Sequence, residues 1–279
     1  MPSPGVSFLN MAQLQTDFSN PRTPTEQKVA ALGPWFQNLH LPDGTQTAPD
    51  HPLGDFPAFK WEPLAKVLPA DLSGQKVLEL GSNAGYYAIQ LAQRGAEVDA
   101  VEINPHYLKQ SRWAAAAFGL TDKIRFRQAS VYNTIREAER YDGIFFMGLF
   151  YHLRYPLLAL DGLVRKMDGW MVFQTLTSPE GEASDKQAPA QLDFGARERM
   201  REPWWPKMAF IEQRLAEDPT NWWAATKSGV EAILRSAGLE ICCHPMHETY
   251  LCRRSEEARE TDTFVAEALA EVLDPSTDE

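Results

Sequence analysis

Between residues 76 and 174 short apolar runs alternate with longer amphipathic stretches, at the spacings of strands and helices. The run Val77-Leu78-Glu79-Leu80 predicts a strand, 86–94 a helix, 97–101 a strand, and 105–118 a helix with Asn104 as its cap and Pro105 at its first position. Strands at 124–127, 143–147 and 170–174, with a helix over about 156–167, continue the series. A helix at 228–236 stopped by Gly238, then short strands near 239–243 and 248–252, predict a closing hairpin and bring the strands to seven. Strands alternating with helices of this length predict an α/β fold, a mostly parallel sheet with helices on both faces.

The flanks break this rhythm. Residues 1–24 mix Pro, Ser, Asn and Thr without sustained period and predict an arm laid over the surface. A helix is expected over 26–37, with Val29, Leu32, Trp35 and Phe36 on one face, and a short one at about 61–68. Between them, 40–59 carries six prolines or glycines, Pro42, Gly44, Pro49, Pro52, Gly54 and Pro57, and nearby Phe56, Phe59 and Trp61 predict a packed loop. Residues 178–222 interrupt the alternation with charges, prolines and Trp204-Trp205, and Trp222-Trp223 closes them. The expected organisation is an arm and active-site loop (1–60), a cofactor-binding half (61–177), a substrate-covering insertion (178–222), the end of the sheet (223–254) and an acidic tail (255–279) that ends in a helix carrying Val265, Leu269 and Val272.

Charge changes the picture less than its total suggests. The net charge is -11, but residues 255–279 hold nine acids against one base, Arg259, so the rest of the chain is nearly neutral. A polyanionic partner is only weakly disfavoured. No run approaches the ~18 apolar residues of a membrane span and no basic-then-apolar leader opens the sequence, so a cytoplasmic protein is expected. Three cysteines, Cys242, Cys243 and Cys252, are an odd set for a disulfide framework. Together with His244 and His247 they lack paired Cys-x-x-Cys spacing, so no metal site is expected.

The chemistry-bearing stretch is Glu79-Leu80-Gly81-Ser82-Asn83-Ala84-Gly85. Its glycines stand where a buried strand turns abruptly into a helix, and backbone without side chains approaches a nucleoside closely. Glu102 ends the next strand, 21 residues after Gly81, where an acid can accept both ribose hydroxyls. A dinucleotide fingerprint would place a glycine under the pyrophosphate, but that position is Asn83. Glu79 at the strand end suits an ammonium group, as on the methionine part of S-adenosylmethionine, better than a pyrophosphate.

These residues, with Phe146-Met147-Gly148-Leu149-Phe150-Tyr151-His152-Leu153-Arg154-Tyr155-Pro156, resemble class I methyltransferases. Through Met-Gly-x-x-Tyr-His and the Lys60-Trp61 pair, the similarity narrows to tRNA wobble-uridine carboxymethyltransferases, from about residue 41 to 253. The resemblance implies a Rossmann-like fold with an N-terminal extension and an inserted cap, and S-adenosyl-L-methionine as cofactor. It places adenine at Ala129, Ser130 and Val131, with Ile103 after Glu102 also at the cofactor, and the sulfonium and acceptor at Met147, Gly148 and Tyr151. A tyrosine and a lysine that line the family's cofactor pocket correspond to Tyr151 and Lys60.

Two departures matter. The family's carboxylated cofactor needs a loop lysine and an arginine at the last strand, but 41–47 has no lysine and Glu248 enters the last strand here. A carboxylate left without a cation in a desolvated pocket costs several kcal/mol, so the plain cofactor and simple methyl transfer are expected. His152 is either a general base or a structural histidine, and Tyr151 either orients the acceptor or packs against the methyl group. Trp205, Trp222 and Trp223 either stack on a planar acceptor or close the insertion, and Lys207 and Arg214 near them can hold an anion. The expected acceptor is a small molecule offering O, N or S, with tRNA the less favoured partner; oligomeric state is not legible.

Overall fold

The computed structural model describes residues 23–179, 188–189, 191–256 and 262–273. The expected arm, apart from residues 23 and 24, and parts of the insertion and the tail lie outside the described residues.

The strands are β1 (Lys76–Leu80), β2 (Glu97–Glu102), β3 (Ile124–Gln128), β4 (Tyr141–Met147), β5 (Met167–Gln174), β6 (Met208–Phe210), β7 (Trp223–Ala225), β8 (Leu239–Met246) and β9 (Thr249–Arg254). Seven form one sheet in the order β3-β2-β1-β4-β5-β9-β8, as expected from the alternation. β1 pairs parallel with β2 and β2 with β3, while β9 runs antiparallel to β5 and β8 as the closing hairpin. In β1 every residue after Lys76 is buried, the burial of a central strand covered on both faces.

The helices are α1 (Pro24–Leu32), α2 (Ala58–Val67), α3 (Tyr86–Gln93), α4 (Pro105–Ala117), α5 (Val131–Arg136), α6 (Pro156–Lys166), α7 (Lys227–Ser236) and α8 (Asp262–Leu273). Asn104 caps α4 by accepting from His106 N–H, and Pro105 opens it. α1 opens on a Thr23-Glu26 capping box and stops at Leu32, five residues short of the expected end, because Gly33 and Pro34 cannot continue it. Trp35 is buried all the same, its Nε1–H donating to Val29 O at 2.8 Å. Among the described residues no helix is long and apolar enough to cross a membrane.

The described chain divides into two compact units. The first holds residues 23–134, 141–145 and 216–218, the second 135–140, 146–215 and 219–273. In the first, the expected packed loop is tied down by Thr47, whose hydroxyl accepts from Leu39 N–H and donates to Gln37 O. Asp99 in β2 anchors the sheet's edge, accepting bidentate bonds from Arg125 and Arg127 and one from Tyr141 Oη–H. In the second, β6 and β7 form a two-stranded ribbon that periodicity did not foretell, and 194–201 coils as a 3₁₀ helix. α8 carries Leu269 buried, Val265 half-buried and Val272 exposed.

Candidate functional site

In the first unit the register Leu80 with Val101 brings the glycine turn beside the end of β2. Val101 O accepts from the N–H groups of both Gly81 and Ser82, so the chain bends at once after β1. Gly81, Asn83 and Gly85 all have positive φ, at 68°, 51° and 87°. At Gly85 a side chain is excluded twice over, since a Cβ would lie 3.1 Å from Ser111 Cβ and 3.2 Å from the Phe126 ring. Asn83 tolerates its conformation because its Oδ1 accepts from Ala84 N–H at 2.7 Å.

Glu102 is 7% exposed and locks this loop to β2. One carboxylate oxygen accepts from Asn83 N–H at 2.9 Å and the other from Asn104 N–H at 2.8 Å. Glu79, one strand residue before the turn's leucine, is buried, and its Oε2 has no hydrogen-bond partner. Burial holds its carboxyl well above the ordinary range, the nearby charge of Glu102 adds to this, and a bond from Ala88 N–H opposes it. Ser82 Oγ is buried and also without a partner.

Of the other residues expected at the cofactor, Lys60, Ile103, Ala129, Ser130 and Val131 lie in the same unit, whereas Met147 and Tyr151 belong to the second. Ile103 is exposed, and its carbonyl accepts from Gln128 Nε2. Ser130 caps α5, its hydroxyl accepting from Asn133 N–H, with Val131 buried as the first helical residue. Lys60 Nζ sits 5.4 Å from the Phe56 ring centroid. Two participants had no signal beyond being polar. Gln37 Oε1 accepts from Tyr86 N–H at the start of α3, and Tyr107 hydrogen-bonds the Asn83 side chain. A cavity of about 180 Å³ between His40, Asp55, Tyr86 and Gln90 includes none of the residues expected at the cofactor.

In the second unit β4 ends at Met147, and Gly148, with φ 66°, donates to Gln174 O before a 3₁₀ turn, Phe150–His152. The Tyr151 and His152 rings lie 4.2 Å apart. His152 Nδ1 is 2.9 Å from Thr220 Oγ1, a contact whose donor depends on the tautomer. The tryptophan pair meets the same turn, Trp222 N–H donating to Tyr151 O and Trp223 Nε1–H to Leu153 O. Trp205 instead packs its ring on Trp204, 5.6 Å away. Glu248, with φ 61°, joins the ends of β5 and β9 through Thr177. Cys242, Cys243 and Cys252 are free thiols, and burial pushes Cys252 up to about 12.

A loop of positive-φ residues thus stays latched to a buried strand-end carboxylate, and known proteins give that arrangement a context. The chain is 29% identical over 223 residues to a "tRNA U34 carboxymethyltransferase" of Pseudomonas paraeruginosa, covering 78% of this chain and 59% of that protein. This chain thus spans less than two thirds of that relative's length. A protein of the same name from Pseudomonas fluorescens is 26% identical, with 97% of this chain and 76% of the relative covered. In three dimensions the N-terminal domain of EvdMO1, crystallised in the presence of SAH and D-fucose, superposes with a TM-score of 0.54 at 20% identity, covering 82% of this chain and 95% of that one. The fold is that of the O-methyltransferase family protein from Burkholderia thailandensis as well, at TM-score 0.51, 12% identity and coverages of 72% and 57%. Residues 57–244, more than half of the chain, running from α2 into β8 and holding both the glycine turn and the Tyr151-His152 turn, match the methyltransferase-domain model, and the chain belongs to that family.

Proposed function

We propose that this chain binds unmodified S-adenosyl-L-methionine through Gly81, Ser82, Asn83, Gly85 and Glu102 and methylates an O, N or S atom of a small molecule. The observation that carries the reading is Glu102: a carboxylate fixed by two backbone N–H groups at a strand end, with lone pairs left for two ribose hydroxyls. The residues fit the cofactor at a second point. Glu79 is a buried acid with an unpartnered oxygen, the state that an ammonium group would relieve.

The bound cofactor supplies an electrophilic methyl group on a sulfonium. The chain's own work is to orient the nucleophile and hold its proton. Tyr151 and His152 adjoin on one turn, and in the tautomer whose Nδ1–H donates to Thr220 Oγ1, His152 would accept through Nε2 a proton from a hydroxyl, amine or thiol acceptor. Tyr151, locked through its carbonyl to Trp222 N–H, orients that acceptor.

The names of the relatives favour a second reading, carboxymethylation of tRNA at U34. Charge argues against it. Arg125, Arg127, Arg140, Arg201 and Arg253 are each paired with a carboxylate of the chain itself and so offer a phosphate backbone less than free cations would, and the net charge of the chain is -11. The carboxylated cofactor of that reading would also meet Glu248 where an arginine is needed. Incubating the protein and methyl-labelled cofactor with a cell extract, then separating tRNA from small molecules before mass spectrometry, decides between them. Label in small molecules is expected; label in tRNA alone would overturn the proposal.

A further inference from the structure

We infer that Arg154 recognises an oxyanion, a carboxylate or phosphate, on the acceptor; this rests on the methyl-transfer reading above. Arg154 follows the Phe150–His152 turn by two residues, so it is fixed close to Tyr151 and His152 in sequence and in space. Its guanidinium lies 5.1 Å from the Phe210 ring centroid and 4.9 Å from that of Trp222, and these two rings are stacked at 16° and 6.3 Å apart. The three groups form a triangle, with the cation resting against both rings.

The ribbon that supplies the rings is itself fastened to the turn. Trp222 N–H donates to Tyr151 O, Trp223 Nε1–H to Leu153 O, and Ile211 N–H to Trp222 O. The exposed Arg154 side chain therefore meets two rings whose backbone is fixed to its own turn, which narrows the rotamers it samples. Yet its contacts use only its charge: among the described residues the guanidinium makes no hydrogen bond or ion pair, whereas Arg125, Arg127, Arg140, Arg201 and Arg253 are all matched with carboxylates. A clamped guanidinium with uncommitted donors is a preformed fork, the geometry that carboxylates and phosphates accept bidentately. Phe210 is exposed beside it, an apolar ledge for the body of a ligand whose anionic end meets Arg154.

The test titrates the full chain with phenyl phosphate, benzoate and, as a neutral control, benzyl alcohol, reading tryptophan fluorescence, while equilibrium dialysis follows S-adenosylmethionine retention in the same samples. At least one anion should saturate the wild type at concentrations tenfold or more below any response to benzyl alcohol. Arg154→Met, which keeps an apolar contact with the rings, should weaken that anion at least tenfold with cofactor retention unchanged, and Arg154→Lys should recover part of it. Anions no better than the alcohol, or an Arg154→Met protein binding them like the wild type, would overturn the inference. Failure of the wild type to retain the cofactor would sink the methyl-transfer reading instead, since the anion titration does not depend on it.

Discussion

Glu248 Oε1 accepts both the backbone N–H and the hydroxyl of Thr177, each at 2.7 Å. This acid sits at the turn into β9, where the resemblance implies a cation in the carboxymethyltransferases, and it is committed to holding the residues that follow β5. On the proposed reading, an added carboxylate on the cofactor would meet negative charge there instead of a cation. In a competition between S-adenosylmethionine and its carboxylated relative, the plain cofactor is expected to win by at least tenfold; equal or reversed affinity would show that Glu248 does not face the ligand.

The Glu102 latch predicts a coupled loss. Glu102→Ala removes the acceptors of Asn83 N–H and Asn104 N–H and, on the proposed reading, those for ribose, so cofactor affinity should fall by about 1–3 kcal/mol. Isothermal titration reads this directly, and an unchanged dissociation constant would remove the ribose role.

Gly85→Ala isolates the backbone. The substituted residue must hold φ near 87° and fit its Cβ against Ser111 and Phe126, which together should cost about 1–3 kcal/mol of stability. A fall in Tm is the readout. A Tm within a degree of wild type would mean that the turn relaxes freely.

The turn was legible in the sequence because it is short-range: fixed spacings place Gly81, Gly85 and Glu102, whereas the bonds of Glu102 to the Asn83 and Asn104 N–H groups show only in the folded chain. The sheet was legible for a similar reason, since buried strands show as apolar runs. α5 was not, because Val131, Thr134 and Ile135 are β-branched and argue for a strand, and the Ser130 cap is one polar residue among many. The β6–β7 ribbon has three-residue strands, too short for any period to show. Arg154 escaped notice because Phe210 and Trp222, more than fifty residues away, give it meaning.

Glu79 separates a structural acid from a binding one. Its folded pKa is raised, so its contribution to stability is present below the unfolded value, ~4.3, and is lost as pH rises through the folded one. Glu79→Gln removes that loss, so the variant should be at least as stable as wild type at neutral pH by urea unfolding. Cofactor affinity should nonetheless fall, because an amide does not neutralise an ammonium group. If both stability and affinity match wild type, Glu79 has no part in binding.

Asp99 has the opposite sign. Burial alone would raise its carboxyl, but bonds from Arg127, Arg125 and Tyr141 outweigh burial and hold it below the ordinary range. A depressed folded pKa contributes stability that is complete above the unfolded value, ~3.9, and disappears as pH falls through the folded one. Asp99→Asn leaves two partly exposed arginines facing an amide, and losing their charge-assisted bonds costs about 1–3 kcal/mol at neutral pH. The variant should therefore be much weaker than wild type in urea at pH 7, with the gap narrowing below pH 4 as the wild-type carboxyl protonates. A gap that stays constant from pH 7 to pH 3 would show that packing around residue 99, and not the charge network, sets the stability of this edge of the sheet.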